Sequence, residues 1–317
     1  MIIYTFFLPA YKGRFLDEML HSIQKQTYQD YKVIISDDCS PEDLYTICKP
    51  YLKDPRFVYR RNEENMGSKD LVAHWNMLVN MCDTEFLIMA SDDDVYEPEF
   101  LEEIDKLVQK YPNVDLFRAR MQRINESGEL LLSESRWDEY MDQSHFFYES
   151  RTSGMFTCEA NYVYKTSALK KRGGYKDYPL AIYTDKATHI LLAENGCANT
   201  IDILFSYRAS KDSVCGRSAT NRDAIMKIEA SLSFWDWIND YLCKIRETKE
   251  KEMKVRVMNE YLESIKNNIK AFAPYLSWSD FRKLQSIFSK TFNLSRIELT
   301  HQWFACHVKT KKKWKKG

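Results

Sequence analysis

An apolar run that ends in an acidic cluster constrains the fold of this chain more than any other feature. Residues 85–90 are mostly apolar and typical of a buried strand, and Ser91 and three aspartates at 92–94 follow them. In open α/β sheets, ligands bind beyond the carboxyl ends of the strands, so the cluster is predicted to face a binding crevice. Its carboxylate oxygens suit Mg²⁺ or Mn²⁺, ions that commonly bridge to phosphates. The alternative is an acidic turn that caps the helix starting near Pro98.

Residues 1–110 alternate between apolar runs and segments with helical spacing. Strands are predicted at 2–8, 31–36, 56–60 and 85–90, and helices at 15–26, 40–52, 71–81 and 100–110. The helix at 40–52 is expected to begin with Ser40 as its N-cap and Pro41 in its first turn. Strands that alternate with helices of this length form βαβ units with parallel strands. An α/β fold with a mostly parallel, Rossmann-like central sheet flanked by helices follows.

The pattern changes after residue 110. We expect a strand at 114–124, a hairpin turn at 125–128 and a strand at 129–133. Residues 134–160 are predicted to be irregular and to form a mobile wall on the substrate side. A strand at 161–165, a helix at 167–172, a break at 173–175, a helix at 185–194 and a strand at 201–207 complete this part. Helical patterns follow at 222–247, 251–272, 277–291 and 295–307, and Pro274 separates the second from the third.

Charge and cysteine usage argue against several classes of protein. Six of the last nine residues are Lys in a chain of zero net charge, so residues 1–308 carry a charge of −6. Without a basic footprint outside its tail, the chain is not expected to bind nucleic acid. The eight cysteines form no CxxC pair, which argues against a zinc site and favours reduced thiols in a cytosolic protein. We expect no signal peptide and no membrane-spanning segment.

Two predicted strand ends carry acids, which suggests a nucleotide site. Asp37 and Asp38 follow the second strand, and the aspartates at 92–94 follow the fourth. The acids at one strand end can accept hydrogen bonds from a base or ribose, while those at the other hold a metal ion on a diphosphate. The chain has no GxxxxGK[ST] or GxGxxG loop, so a kinase, a P-loop ATPase or a dehydrogenase is not expected.

A series of motifs in this chain resembles glycosyltransferase family 2. The motifs are Leu8-Pro-Ala-Tyr-Lys, residues 20–31, residues 33–40, Asn65-Met-Gly67, residues 85–98, Gly173-Gly174-Tyr175, Asp185 with residues 192–196, and Tyr207-Arg208 with Ser213. The resemblance covers about residues 1–215 and implies an A-type glycosyltransferase fold. It also implies an inverting enzyme that transfers a sugar from a nucleotide-diphosphate sugar, with UDP as the expected nucleotide, to an acceptor hydroxyl.

The resemblance implies a role for each matching residue. It implies nucleotide contacts for Asp38, on the nucleobase, with Asp37 beside it, and for Asp92, on the ribose side. Pro9, Tyr11, Asn65 and Lys69 are further candidate nucleotide contacts, and for Asn65 and Lys69 the alternative is an ordinary polar loop. Asp93 is implied as a ligand of Mn²⁺ or Mg²⁺, and Asp94 as an additional metal contact. Because Ser91 stands where the family usually has its first acid, either Asp92 or Asp94 can partner Asp93.

Asp185 matches the acid of a late Glu-Asp motif, which the resemblance implies is the general base. Thr184 stands where Glu is common. One base suits inversion, because it deprotonates the acceptor hydroxyl that attacks opposite the leaving group. The alternative is an ordinary acid at a helix start. The competing bases are Asp138, Glu139, Asp142 and Glu149. We expect Arg208 to reach the diphosphate or to form a salt bridge, and His189 to pack.

Three regions are predicted: a catalytic domain at 1–215, a helical region at 216–308 and a basic tail at 309–317. Aromatic residues near the Lys run suggest peripheral contact with anionic lipid, and a solvated tail is the alternative. A cytoplasmic location at the inner face of the plasma membrane would suit a glycan or polyprenyl-linked glycan acceptor in bacterial capsule or O-antigen synthesis. The alternative functions are a non-catalytic sugar-nucleotide-binding or assembly subunit and a nucleotidyltransferase.

Overall fold

The computed structural model describes residues 2–152, 155–210, 220–244, 251–301 and 303–305. The chain separates into two units, one formed by residues 1–177 with 184–213 and the other by residues 178–183 with 214–317. The first unit contains the sheet, and the second is helical. The roles given to 1–215, 216–308 and 309–317 stay predictions. Ser213 and the Lys-rich tail lie outside the described residues.

Four strands and four helices form the βαβ units predicted for the first third of the chain. The strands are β1 (Tyr4–Ala10), β2 (Tyr31–Asp37), β3 (Phe57–Arg61) and β4 (Phe86–Met89). The helices are α1 (Leu16–Gln24), α2 (Leu44–Cys48), α3 (Gly67–Met81) and α4 (Phe100–Lys110). All four residues of β4 are apolar and buried, because both faces of this central strand are covered.

Six further strands and three helices complete the first unit, as far as it is described. The strands are β5 (Val95–Tyr96), β6 (Leu116–Ile124), β7 (Leu130–Ser133), β8 (Tyr140–Met141), β9 (Tyr162–Lys165) and β10 (Cys197–Arg208). The helices are α5 (Gln143–Thr152), α6 (Thr166–Lys171) and α7 (Thr184–Leu192). The predicted hairpin is confirmed, since β7 pairs antiparallel with β6.

The strand order locates a crevice. β1 lies between β2 and β4 and is parallel to both, while β3 extends the sheet beyond β2. The order therefore reverses at β1, which makes the carboxyl ends of β1 and β4 a topological switch point. Beyond β4 the sheet continues as β9, β6, β10 and β5, with antiparallel and parallel pairs. The α/β prediction is confirmed, and the sheet is mixed in this second half.

Helix α2 begins later than predicted. Asp43 caps it by accepting a hydrogen bond from Thr46 N at 3.2 Å. The Ser40 hydroxyl instead donates to the carbonyl oxygen of Tyr11 at 2.6 Å. The predicted cap at Ser40 is wrong, because α2 begins only at Leu44; the Ser40 Oγ accepts from Glu42 N at 3.1 Å in the turn that precedes the helix.

The segment 134–160, predicted to be irregular, is partly regular. Strand β8 pairs with β10, and α5 follows it directly. Phe146 and Phe147 of α5 are buried. The prediction of an irregular segment is therefore wrong for β8 and α5. Strand β8 has two residues, too few to show a sequence pattern, and it forms by pairing with the distant strand β10.

The helical unit contains α8 (Asn221–Lys244), α9 (Lys251–Phe272) and α10 (Trp278–Phe292), and residues 296–301 and 303–305 are also helical. Ser277 caps α10 by accepting from Asp280 N at 3.2 Å, and Asn293 ends the helix in the left-handed conformation. A 3₁₀ turn at Ala273–Tyr275 interrupts the helices at Pro274, as predicted. In the part of the chain that the structure describes, no helix has the length and apolar character needed to cross a bilayer.

Residues 178–183 pack with the helical unit although α7 follows them in the chain. The Tyr183 ring stacks on Phe234 with a centroid distance of 4.4 Å and an interplanar angle of 9°. Leu180, Ala181 and Tyr183 have φ values of 57°, 56° and 69°. Residues other than glycine adopt this conformation at a cost of about 1–3 kcal/mol each, so tertiary packing must impose it.

Candidate active site

The predicted acidic residues meet at one edge of the sheet. Asp37 ends β2 and Asp38 follows it, the aspartates at 92–94 follow β4, and β1 lies between these strands. Pro9 lies near the end of β1, half-buried and opposite Ser36 of β2. Tyr11 is exposed in the loop that follows. The carboxyl ends of three parallel strands therefore carry the predicted site residues, as sequence periodicity indicated.

Asp92 holds the loop after β1. Its Oδ2 accepts hydrogen bonds from the backbone N–H groups of Tyr11 and Lys12, both at 2.8 Å. Burial raises the pKa of Asp92, while these two donors act in the opposite direction. Among the described residues, no hydrogen bond reaches the other oxygen, Oδ1. Asp92 thus shapes the loop and still has one carboxylate oxygen without a protein donor.

Asp93 is the most accessible of the three aspartates. Its side chain is half-buried, and its Oδ1 accepts a hydrogen bond from the Ser91 hydroxyl at 2.6 Å. No other described residue donates to this carboxylate. Ser91, which departs from the usual family pattern, therefore orients this accessible carboxylate.

Asp94 faces the interior. Its Oδ1 accepts from the backbone N–H of Arg208 at 2.9 Å, and Oδ2 lies 3.9 Å from the Cys158 sulfur. Burial, with Asp93 nearby, raises the pKa of Asp94 well above its usual range. Arg208 donates from Nε to the Asp93 carbonyl oxygen at 2.8 Å and forms an ion pair with Glu18 at 2.7 Å. The salt-bridged alternative for Arg208 is confirmed, and this arginine fixes the shape of the acidic turn.

The donor set fits a metal ion shared with a substrate, not a site made by protein alone. In the described ranges, no three His, Cys, Asp or Glu side chains come together as a metal site. Mg²⁺ commonly takes one or two carboxylates and completes its shell with substrate phosphates and water. One accessible carboxylate, Asp93, beside the unused oxygen of Asp92 matches that requirement.

The acids after β2 are strongly hydrogen-bonded. Asp37 is fully buried, and it accepts from Ser40 N, the Tyr59 hydroxyl and Arg61. Through these three hydrogen bonds Asp37 supports the loop after β2. Its carboxylate therefore has little capacity left to accept a hydrogen bond from a nucleotide. That role stays a prediction.

Asp38 connects β2 to the start of α3. Its Oδ1 accepts from Asn62 Nδ2 at 2.8 Å and Met66 N at 2.9 Å, and its Oδ2 accepts from Gly67 N at 2.7 Å. A Cβ at Gly67 would lie 3.0 Å from Asp38 Oδ2, so glycine allows this close approach. His74, fully buried, has its Nδ1 3.6 Å from the same oxygen, and burial lowers the pKa of His74. The contact to a nucleobase stays a prediction.

The remaining predicted nucleotide contacts lie at the start of α3. Asn65 accepts from Ser68 N at 2.8 Å through Oδ1, which satisfies a free donor of the first turn. Lys69 is exposed and pairs with Glu64. A surface ion pair of this kind contributes little to stability, so breaking it would cost little.

Asp185 lies in the first turn of α7 and is half-buried, in the position predicted for it. Its Oδ1 accepts from the neighbouring Lys186 N at 2.8 Å. Cys158, whose sulfur faces Asp94, has a pKa raised by burial, by Asp94 and, more weakly, by Asp185. No sequence motif points to Cys158, because a lone cysteine belongs to none.

The four competing acids have partners near α5. Glu139 pairs with Lys110 and accepts from the Tyr111 hydroxyl at 2.7 Å, and Asp142 accepts from His145 N at 2.8 Å. His145 also lies 3.4 Å from Glu149 and 3.9 Å from Asp138. His189 stacks on Tyr162 at 3.7 Å and hydrogen-bonds the Tyr164 hydroxyl at 2.7 Å, so its predicted packing role is confirmed.

A buried ion pair, absent from the sequence predictions, holds the segment that leads to Cys158. Arg118 of β6 and Glu134 are both fully buried and form a hydrogen-bonded pair. Arg118 donates to the Phe156 carbonyl oxygen at 2.9 Å, and Phe156 N donates to Glu134 at 2.7 Å. The pair therefore binds both backbone groups of one residue, two positions before Cys158.

Glu134→Gln is expected to destabilise the first unit by about 3–5 kcal/mol, because it leaves the Arg118 charge buried without its partner. Chemical denaturation followed by circular dichroism measures this. Glu102→Gln, on an exposed helix face, is the matched control and should change the free energy of unfolding by less than about 1 kcal/mol. An Arg118→Met/Glu134→Leu variant should be more stable than Glu134→Gln, and the reverse order would contradict the ion-pair explanation.

Comparison with known sequences identifies relatives of the sheet-containing part. A family model described as Glycosyl transferase family 2 matches residues 5–173, more than half of the chain. An uncharacterized glycosyltransferase of Methanocaldococcus jannaschii is 28% identical over 163 residues, which cover 50% of this chain and 53% of that protein. The matched part therefore spans about half the length of this curated relative.

Solved structures extend the similarity to nearly the whole chain. Residues 1–349 of Staphylococcus aureus TarS, in complex with UDP-GlcNAc, align with a TM-score of 0.61 at 13% identity and cover 98% of this chain and 92% of that one. The mannosyltransferase PcManGT of Pyrobaculum calidifontis, in complex with GDP-Man and Mn²⁺, aligns with a TM-score of 0.56 at 13% identity, with coverages of 96% and 86%. These likenesses confirm the predicted A-type fold.

Proposed function

Because this chain belongs to glycosyl transferase family 2, we propose that it transfers a sugar from a nucleotide-diphosphate sugar to an acceptor hydroxyl with inversion. The observation that carries this proposal is the acidic turn at the switch point, where Asp93 offers an accessible carboxylate between two acids that the protein holds. A UDP-linked donor is proposed because TarS was solved with UDP-GlcNAc, and the GDP-Man in PcManGT makes a GDP-linked donor the alternative.

The donor is proposed to lie across the carboxyl ends of β1, β2 and β4. Asp38 would accept from the nucleobase, and the loop that Asp92 holds would carry Tyr11 against the nucleoside. Lys69, exposed at the start of α3, would contact the nucleotide in place of Glu64. In this arrangement each proposed contact comes from a separate strand end, and the sheet sets their spacing.

A divalent cation is proposed as the cofactor. Asp93 would hold Mn²⁺ or Mg²⁺, and Asp92 is the favoured second carboxylate because both oxygens of Asp94 face protein groups. When bound, such an ion stabilises the negative charge that develops on the departing diphosphate. The Mn²⁺ in the PcManGT complex supports this requirement.

Asp185 is proposed as the general base. Its carboxylate would take the proton of the acceptor hydroxyl while the hydroxyl oxygen attacks the anomeric carbon. The bond from that carbon to the diphosphate oxygen breaks on the opposite face, so the configuration inverts. The position at the start of α7 supports this role, because helix N-terminal N–H groups favour a charged carboxylate.

Turnover with a panel of UDP- and GDP-linked sugars, each with and without a chelator, tests the proposed function. Release of nucleoside diphosphate together with sugar transfer, lost on chelation, is the expected result. Donor binding without turnover on any acceptor would favour the non-catalytic subunit. Release of pyrophosphate from a nucleoside triphosphate would instead identify a nucleotidyltransferase.

Asp38→Ala is expected to weaken nucleotide binding about 10- to 100-fold, with and without metal, because a hydrogen bond to a charged group contributes about 1.5–3 kcal/mol. Isothermal calorimetry with UDP and with GDP measures the loss. Asp43→Ala is the matched control, since it also removes an aspartate that holds a helix start, but at α2. Equal affinity in the wild type and Asp38→Ala would remove Asp38 from the nucleotide site.

The proposed acceptor is a glycan or polyprenyl-linked glycan used in bacterial surface polysaccharide synthesis, at the cytoplasmic face of the plasma membrane. Its support is the sequence of the last nine residues, in which six Lys and Trp314 would suit an anionic lipid surface. These residues lie outside the part of the chain that the structure describes.

A further inference from the structure

We propose that the C-terminal helical unit binds the phosphate headgroups of an anionic lipid bilayer in a groove beside α10. The groove, about 730 Å³ in volume, lies between α10 and the helical residues that follow residue 295. Arg282 and Gln285 line it from α10, and Arg296, Ile297, His301 and Phe304 line it from the other side. This site is separate from the donor crevice and does not depend on the proposed glycosyl transfer.

The groove has a positive charge that the described residues do not neutralise. Neither Arg282 nor Arg296 forms a side-chain hydrogen bond or an ion pair with any described residue, and no acid lines the groove. The two nearest acids in sequence are engaged elsewhere, since Asp280 pairs with Lys283 at 3.3 Å and Glu298 pairs with Lys270 at 3.4 Å. Two guanidinium groups without a hydrogen-bond or ion-pair partner among the described residues are suited to phosphate oxygens, which accept from them in pairs.

Apolar side chains stand next to these arginines. Ile297 is 84% exposed and Phe304 is 49% exposed, and both line the groove. The Trp278 ring, itself 41% exposed, lies 5.4 Å from Phe304 and 5.7 Å from the Arg282 guanidinium. This combination suits the boundary between lipid headgroups and acyl chains. The exposed isoleucine, phenylalanine and tryptophan would contact the acyl chains, while the arginines contact the headgroups.

The walls of the groove are fixed to each other. Gln285, buried in α10, donates to the Arg296 carbonyl oxygen at 3.0 Å and to the Thr300 hydroxyl at 2.7 Å. Trp303 donates from Nε1 to the Leu276 carbonyl oxygen at 2.9 Å. The arginines are therefore presented by two helices whose spacing is already set, so the site needs little ordering when it binds.

The continuation of the chain favours a bilayer over a small anionic ligand. Residues 309–316 supply six Lys and follow Phe304 closely in sequence, so groove and tail carry the same charge sign. A bilayer can contact both at once, and each basic residue near its surface adds to binding. A soluble phosphate would use the arginines and leave Ile297 and Phe304 in water.

Sedimentation of the full-length chain with phosphatidylcholine vesicles, with and without phosphatidylglycerol, tests the proposal. Binding should require phosphatidylglycerol, and Arg282→Gln/Arg296→Gln should weaken it about 30-fold, from about fivefold per basic residue. Ile297→Ser/Phe304→Ser should weaken it while leaving the salt dependence unchanged. Lys53→Gln/Arg222→Gln, which removes the same charge from two exposed sites, should bind as the wild type does.

The tail provides the decisive comparison. A variant with the six Lys of residues 309–316 replaced by Gln should keep a component of binding that Arg282→Gln/Arg296→Gln removes. If the groove variant, folded by circular dichroism, binds vesicles like the wild type, the tail accounts for all binding and the proposal is wrong. Equal binding to a DNA duplex and to vesicles, both insensitive to Ile297→Ser/Phe304→Ser, would also overturn it. No readout depends on sugar transfer, so these outcomes are independent of the proposed function.

Discussion

Asp93→Asn is expected to reduce turnover by roughly 10³-fold and to remove most of the effect of metal on nucleotide binding. Asp93 is the one accessible carboxylate of the acidic turn, so its charge would hold the cation against the diphosphate. Metal stabilisation of a developing charge contributes several kcal/mol, which corresponds to a rate effect of this order. Calorimetry with nucleoside diphosphate in Mn²⁺ and in chelator, together with turnover, measures both effects.

The control for this substitution is Asp83→Asn. Asp83 is an exposed carboxylate that precedes β4, at the opposite end of the strand from the acidic turn, and it pairs with Lys32. Asp83→Asn should leave turnover and the effect of metal on nucleotide binding unchanged. If the wild-type chain binds nucleoside diphosphate equally well with metal and with chelator, the cation is not part of the donor site. Any loss of turnover in Asp93→Asn would then have another cause.

Asp185→Asn is expected to lower turnover by about 10²–10⁴-fold, the usual contribution of a general base, with nearly unchanged affinity for nucleoside diphosphate. The amide keeps the shape and the hydrogen bond to Lys186 N but cannot take a proton. The loss should therefore appear in kcat and not in donor binding. Turnover against acceptor concentration, combined with calorimetry on the nucleotide, separates the two quantities.

The competing acids provide the controls for Asp185. Asp138→Asn and Glu149→Gln remove carboxylates that face His145 near α5, and they should retain most of the activity. A fall of 10²-fold or more in either variant, with near-normal turnover in Asp185→Asn, would transfer the role of base to that residue.

Several parts of the site were predictable because they depend on local pattern. The apolar run before the acidic turn forms the buried strand β4, and the turn follows its carboxyl end. Helix α4, Phe100–Lys110, has the predicted bounds because apolar residues at helical spacing define one buried face. Parallel strands bring their carboxyl ends to one edge, so the grouping of Asp38 with Asp93 required no knowledge of side-chain contacts.

Other parts depended on contacts between distant residues, which periodicity does not report. Ser40 looks like a helix cap in the sequence, but its hydroxyl contacts the Tyr11 carbonyl oxygen and Asp43 caps α2 instead. The pair Arg118 and Glu134 appears as two ordinary surface charges in the sequence. Only the packing of β6 against the segment before Cys158 buries them together.

The sequence by itself determined the family, the α/β fold and the presence of three aspartates at a strand end, because motif order and hydrophobic period are local properties. Only the tertiary structure decided how those aspartates divide: Asp92 holds a loop, Asp94 is buried against Arg208, and Asp93 stays accessible. Three identical carboxylates cannot be distinguished by their side chains. They differ in burial and in hydrogen-bond donors, and residues 80 or more positions away supply most of those donors.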